Sequence, residues 1–80
     1  MPTSLLQQVI EMVANEMDLK TRDIQADSSF VNDLMADSLD TANLLYASKV
    51  HFGVNISNQE ADNIDTVQDL ADVITRLQDT

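Results

Sequence analysis

DSLDTANLLYASKVHFG, residues 37–53, reads as a helix with both ends marked. Asp37 is a short acceptor side chain suited to the N-cap. Asp40 follows three residues later, where a negative charge meets the unpaired N–H groups of a first helical turn. Gly53 supplies a residue that tolerates the left-handed conformation that stops a helix. Between these ends Leu39, Ala42, Tyr46 and Val50 fall at spacings of 3, 4 and 4, with Leu45 beside the stripe. That period predicts that they form the inward face.

The flanking segments follow the same grammar. Upstream, Leu6, Val9, Ile10, Val13 and Met17 recur at helical spacing behind Ser4, a plausible cap that Gln7 completes as a capping box, which predicts a helix over 4–17. Downstream, Val54 to Ile56 form a short extended link. Ser57 with Glu60 opens a helix too short to stand alone, with Ile64 as its anchor. Thr66 with Asp69 caps a last helix over 67–78, whose apolar residues Val67, Leu70, Ile74 and Leu77 are spaced 3, 4 and 3. Residues 18–37, DLKTRDIQADSSFVNDLMAD, keep no period over about twenty positions, long for a connection in a compact domain. Their isolated apolar side chains, Phe30 above all, are expected to pin the segment to the core, with a helical turn at 30–34. The expected fold is therefore all-α: a small four-helix bundle of three main helices and one short one, filling 1–80 as one domain.

Composition narrows what such a bundle does. Fourteen Asp and Glu against four Lys and Arg give a net charge of −10, with one His and no Cys. A Cys/His metal site lacks ligands, and no disulfide is possible. Nucleic acid and anionic membrane surfaces are poor partners, because binding them starts with cations that neutralise phosphate. Basic proteins are the expected partners. At 44% hydrophobic residues the chain is apolar enough to fold. At this size it has little interior to spend on a deep catalytic cleft. The opening MPTSLLQQVIEMV has no basic leader and no signal-length apolar run, and nowhere do 18 apolar residues follow one another. A soluble cytoplasmic monomer is expected.

Enzyme constellations are weak. Ser38 and His51 are thirteen positions apart on one helix, about 20 Å at 1.5 Å per residue, too far for a nucleophile and its base. The acids around Asp62, Asp65, Asp69 and Asp72 lack the glycine and spacing of an EF-hand loop, so no metal ligands are assigned. Ser38 stands out by position: it follows the long loop directly and occupies the first turn of a helix. A cap-region serine is the simple reading. A phosphate ester there would lie at the positive end of the helix, so a modification site is physically reasonable.

The stretch DLMADSLDTANLL, residues 33–45, resembles the prosthetic-group attachment region of the acyl carrier proteins, marked by Asp-Ser-Leu at the head of the second helix. The resemblance spans the chain, through FVNDL before the motif, F-G-V-x-I after the helix and I-x-T-V-x-D-L near the end. It implies that Ser38 carries 4'-phosphopantetheine taken from coenzyme A by a phosphopantetheinyl transferase. The arm's terminal thiol would hold acyl groups as thioesters, which supplies sulfur chemistry to a chain without cysteine. On this resemblance the chain is not an enzyme. It serves acyl-transfer, condensing and modifying enzymes of a fatty-acid, specialised lipid or polyketide pathway. Asp37, Leu39 and Asp40 would meet those partners, and Ala42, Tyr46, Phe52, Ile64 and Val67 would form the acyl pocket and core.

The chain departs from that pattern in its second helix, which is rich in Glu in typical fatty-acid carriers. Here Asn43, Lys49, Val50 and His51 stand at those positions. Residues 1–36, 37–54 and 55–80 carry −4, −1 and −5, so acidity is displaced from the usual recognition helix. Tyr46 and Ser48 replace apolar residues, and the proline expected before the third helix is absent. These departures suggest a dedicated enzyme set, against lineage drift in a housekeeping carrier. An aminoacyl, peptidyl or D-alanyl carrier and a non-catalytic interaction subunit that keeps the bundle are the alternatives.

Overall fold

A computed structural model describes residues 4–79; the outermost positions of the expected 1–80 domain lie outside them. Among the described residues there are four α-helices: α1 (Leu5–Met17), α2 (Ser38–Phe52), α3 (Asn58–Asp62) and α4 (Val67–Gln78). The caps explain the boundaries. Ser4 Oγ accepts the Gln7 N–H at 3.1 Å; the return bond from the Gln7 side chain that would complete a capping box is absent among the described residues. Asp37 with Asp40, Ser57 with Glu60, and Thr66 with Asp69 each form the full reciprocal box. Asp18 and Gly53, at φ 56° and 70°, close α1 and α2 in the left-handed conformation.

α1 packs on both α2 and α4, and the core lies between them, centred on Val9, Val13, Val67, Leu70 and Ile74. The stripes on α1 and α4 therefore face inward as spaced, with Leu6, Met17 and Leu77 half-buried at the margins. In α2 the expected stripe is corrected. Leu39, Tyr46 and Val50 are 68%, 70% and 62% exposed and Ala42 is exposed too, while Leu44, Ala47 and Ser48 are buried. Apolar residues line more than one face of this helix, so helical spacing by itself selects either set. The inward set was hidden because it contains a serine. Ser48 is fully buried without cost to an orphan hydroxyl, since its Oγ donates to Leu44 O at 2.8 Å.

The long segment before α2 is pinned twice over. Ile24 and Phe30 are buried in the core, whereas Val31 stays 67% exposed. Backbone bonds then stitch the segment to the entry of α4: Phe30 N to Asp65 O at 2.9 Å, Val67 N to Ser28 O at 3.1 Å and Gln68 N to Ala26 O at 2.8 Å. Thr21–Asp23 add a short 3-10 turn to the segment. The turn expected at 30–34 is present as hydrogen-bonded turns rather than a regular helix.

Two electrostatic consequences follow. Asp69 Oδ2 accepts the Asp65 and Thr66 N–H groups at 3.0 and 3.1 Å, and these bonds hold its carboxyl below the ordinary 3.8. A depressed carboxylate contributes stability that is complete above its unfolded pKa and is lost as pH falls through the folded value. Asp69→Ala is therefore expected to cost about 1 kcal/mol at pH 7. The gap from wild type should narrow in chemical denaturation below pH 3.8. Glu60 is shifted in the same direction by its hydrogen bond to the Arg76 guanidinium, a contact that ties α3 to α4.

The ten excess negative charges occupy a body with a radius of gyration of 11.5 Å. A Debye length of about 10 Å at 0.1 M salt leaves many of their repulsions active, and about 3 Å at 1 M removes most of them. Tm should rise by several degrees between those salt concentrations. A flat profile would show that the carboxylates are too dispersed to matter.

Candidate functional site

Ser38 is the first residue of α2, and its side chain is exposed. The turn around it is built by its neighbours. Asp37 Oδ1 accepts the Asp40 N–H at 2.9 Å, and Asp40 Oδ2 accepts the Asp37 N–H at 3.2 Å. Thr41 donates both its N–H and its hydroxyl to Asp37 O, each at 3.0 Å. Ser38 Oγ makes no hydrogen bond within the described residues, so a hydroxyl on a rigid helix end is presented to solvent with nothing to displace.

The same arrangement denies the serine any reactivity of its own. Both adjacent carboxylates are engaged as caps, and His51 lies at the far end of the same helix, about 20 Å along its axis. Among the described residues no base is placed to take the hydroxyl proton. The helix end offers roughly half a positive charge, against two flanking carboxylates, so it is not a site that would gather a free anion. Among the described residues no group of three or more His, Asp or Glu is placed to hold a metal ion.

Beside this turn lies a cavity of about 250 Å³ between α2, the pinned loop and α3. Phe30, Val31, Leu44, Leu45, Ile64 and Leu70 give it apolar walls, with Thr41, Ala61, Asp62 and Asp65 also on its surface. Thr41 follows Ser38 by three residues, which puts the cavity within about 5 Å of Ser38 along the helix axis.

A family model described as the phosphopantetheine attachment site matches residues 7–74. The chain belongs to this family. Curated relatives agree: acyl carrier proteins of Rickettsia canadensis (strain McKiel), Rickettsia rickettsii (strain Iowa) and Rickettsia prowazekii (strain Madrid E) are each 44% identical over 72 residues, covering 90% of this chain and 84% of theirs. The protein is thus an acyl carrier and not an enzyme, and the group its family bears is a covalent 4'-phosphopantetheine. Its residues fit that group, with an unengaged primary hydroxyl at a helix head and an apolar cavity one turn away.

The structure distributes the residues singled out from sequence as follows. Asp37, Ser38, Leu39 and Asp40 are contiguous on the first turn, with Leu39 exposed and Asp40 half-buried. Of the five assigned to pocket and core, Ile64 lines the cavity and Val67 is core. Phe52 is half-buried in a separate groove with Gln8, Glu11 and His51. Ala42 and Tyr46 are corrected: both point to solvent, because the inward face of α2 runs through Leu44, Ala47 and Ser48. Of the cavity walls three and four residues after Thr41, Leu45 stands beside the stripe read from sequence, whereas Leu44 was missed, its signal masked by the apolar outer face.

Proposed function

We propose that Ser38 is the attachment residue and that the chain, as a single carrier domain, presents acyl groups to the enzymes of a fatty-acid or specialised lipid or polyketide pathway. The exposed, unpartnered hydroxyl at the head of α2 carries this reading. A phosphopantetheinyl transferase supplies the base that the site lacks. Ser38 Oγ attacks the phosphorus of coenzyme A that bears the pantetheine, the bond to 3',5'-ADP breaks, and the hydroxyl proton passes to the enzyme's base. The product is a phosphodiester on Ser38, and its distal thiol provides the thioester linkage for cargo.

Asp37 and Asp40 offer the negative charge nearest that chemistry, and Leu39 offers an apolar contact beside it. The ridge Leu39, Ala42, Tyr46 and Val50 continues along the exposed face of α2 toward Lys49 and His51. A mixed face of this kind suits a dedicated set of partners better than a uniformly basic docking patch, whose contacts would meet repulsion at Lys49. The apolar lining of the cavity favours acyl cargo over aminoacyl cargo. We place the carrier in the cytoplasm as a monomer. Separately, among the described residues no helix is long and apolar enough to cross a membrane.

The test is incubation of the unmodified protein with coenzyme A and a phosphopantetheinyl transferase. The intact mass should rise by one phosphopantetheine. An unchanged mass alongside a carrier that is modified in the same reaction contradicts the assignment.

A further inference from the structure

Met35 is the one described non-glycine residue with positive φ that does not close a helix. Its φ of 61° is demanded by the turn it ends. Leu34 N–H reaches back to Ser29 O at 3.0 Å and Ala36 N–H to Phe30 O at 2.7 Å, and the chain must then reverse into the cap at Asp37. Glycine takes this conformation at no steric cost, whereas a side chain with Cβ is strained there. Asp18, the other such residue, belongs to a type that tolerates it and closes α1. Met35 has neither excuse. It is also 78% exposed, so its thioether gains almost nothing from packing in the free protein. A strained backbone here holds a flexible apolar side chain out to solvent three residues before Ser38, where an enzyme that closes on Ser38 would cover it.

Building on Ser38 as the attachment residue, we propose that Met35 is a docking residue for the phosphopantetheinyl transferase, covered when that enzyme closes on Ser38. The geometry favours the transferase over the later pathway enzymes. Its reacting atoms must come within bonding distance of Ser38 Oγ, so its surface lies over the residues around the turn. Later enzymes act at the thiol, at the far end of the arm. Val31 and Leu39, four residues to either side and 67% and 68% exposed, supply further apolar surface in the same segment. Val31 also stands on the rim of the cavity beside α2.

The experiment compares wild type with Met35→Gly, Met35→Ala and Met35→Leu, measuring Tm and the kinetics of modification by an acyl-carrier-specific transferase with coenzyme A. Met35→Gly relieves the strain and removes the contact. It should melt about 4 °C above wild type, with KM for the carrier raised on the order of tenfold and kcat unchanged, the pattern of lost binding. Met35→Ala keeps Cβ and should raise KM similarly without the gain in Tm. Met35→Leu should restore KM. A glycine variant that melts below wild type, or one that is modified with wild-type KM, overturns the proposal. Wild type that takes no arm at all is a different failure: it removes the assignment of Ser38 and this proposal with it.

Discussion

Ser38→Ala should take no phosphopantetheine under conditions that modify the wild type completely, and its melting temperature should barely move. Both halves follow from the same observation. The Ser38 side chain is exposed and hydrogen-bonds to nothing among the described residues, so removing the hydroxyl removes the chemistry without breaking a contact. Exposed substitutions of this kind usually stay within about 0.5 kcal/mol, and alanine suits a first helical turn at least as well as serine. Thr41 is the nearest alternative hydroxyl along the helix, but it is tied to Asp37 O at 3.0 Å. Intact mass and thermal melts of the two proteins, run side by side, separate the outcomes. An alanine variant that still gains the arm would move the attachment elsewhere, and one that unfolds would show that Ser38 has a structural role not visible in its contacts.

The second large effect lies in the loop. Phe30→Ala should cost about 3 to 5 kcal/mol in urea denaturation, the usual range for emptying a buried aromatic site. At roughly 0.05 to 0.15 kcal/mol per residue, an 80-residue domain has about 4 to 12 kcal/mol in total. The loss is therefore a large share of the total, and it leaves the variant marginal if the wild type lies in the lower half of that range. Phe30 is 7% exposed and lines the cavity, and its own N–H is bonded to Asp65 O, so the side chain anchors the loop and the entry to α4 together. Val31→Ala, one residue on and mostly exposed, is the control and should change stability by less than about 0.5 kcal/mol. Similar losses at both positions would mean that the loop is held by its backbone bonds and not by the aromatic plug.

What could be read from the residues divides along physical lines. Helix ends were legible because capping is local: Asp37 with Asp40, Ser57 with Glu60 and Thr66 with Asp69 each announce a boundary within four positions. The inward faces of α1 and α4 were legible because their apolar residues form a single stripe. α2 was not, because a helix with apolar residues on its outer face gives periodicity nothing to choose between, and a buried serine looks polar until its Leu44 acceptor is known. For the same reason Ala42 and Tyr46 were assigned inward when Leu44 and Leu45 line the cavity. Ser38 could be found from its place at a helix head and from the motif around it. The cavity beside it depends on Phe30, Ile64 and Leu70 meeting across more than thirty residues, which no local spacing records. The left-handed Met35 was equally silent, since its side chain says nothing of the turn that forces it.

The reactive group proposed for this chain is borrowed and sits on Ser38. Its most direct test is mass spectrometry of the protein purified from its own source, intact and after digestion. One phosphopantetheine per chain, free or acylated, is expected on the peptide that contains Ser38. A chain found unmodified in its source and refractory to transferase, or one bearing the arm on any other residue, would contradict it.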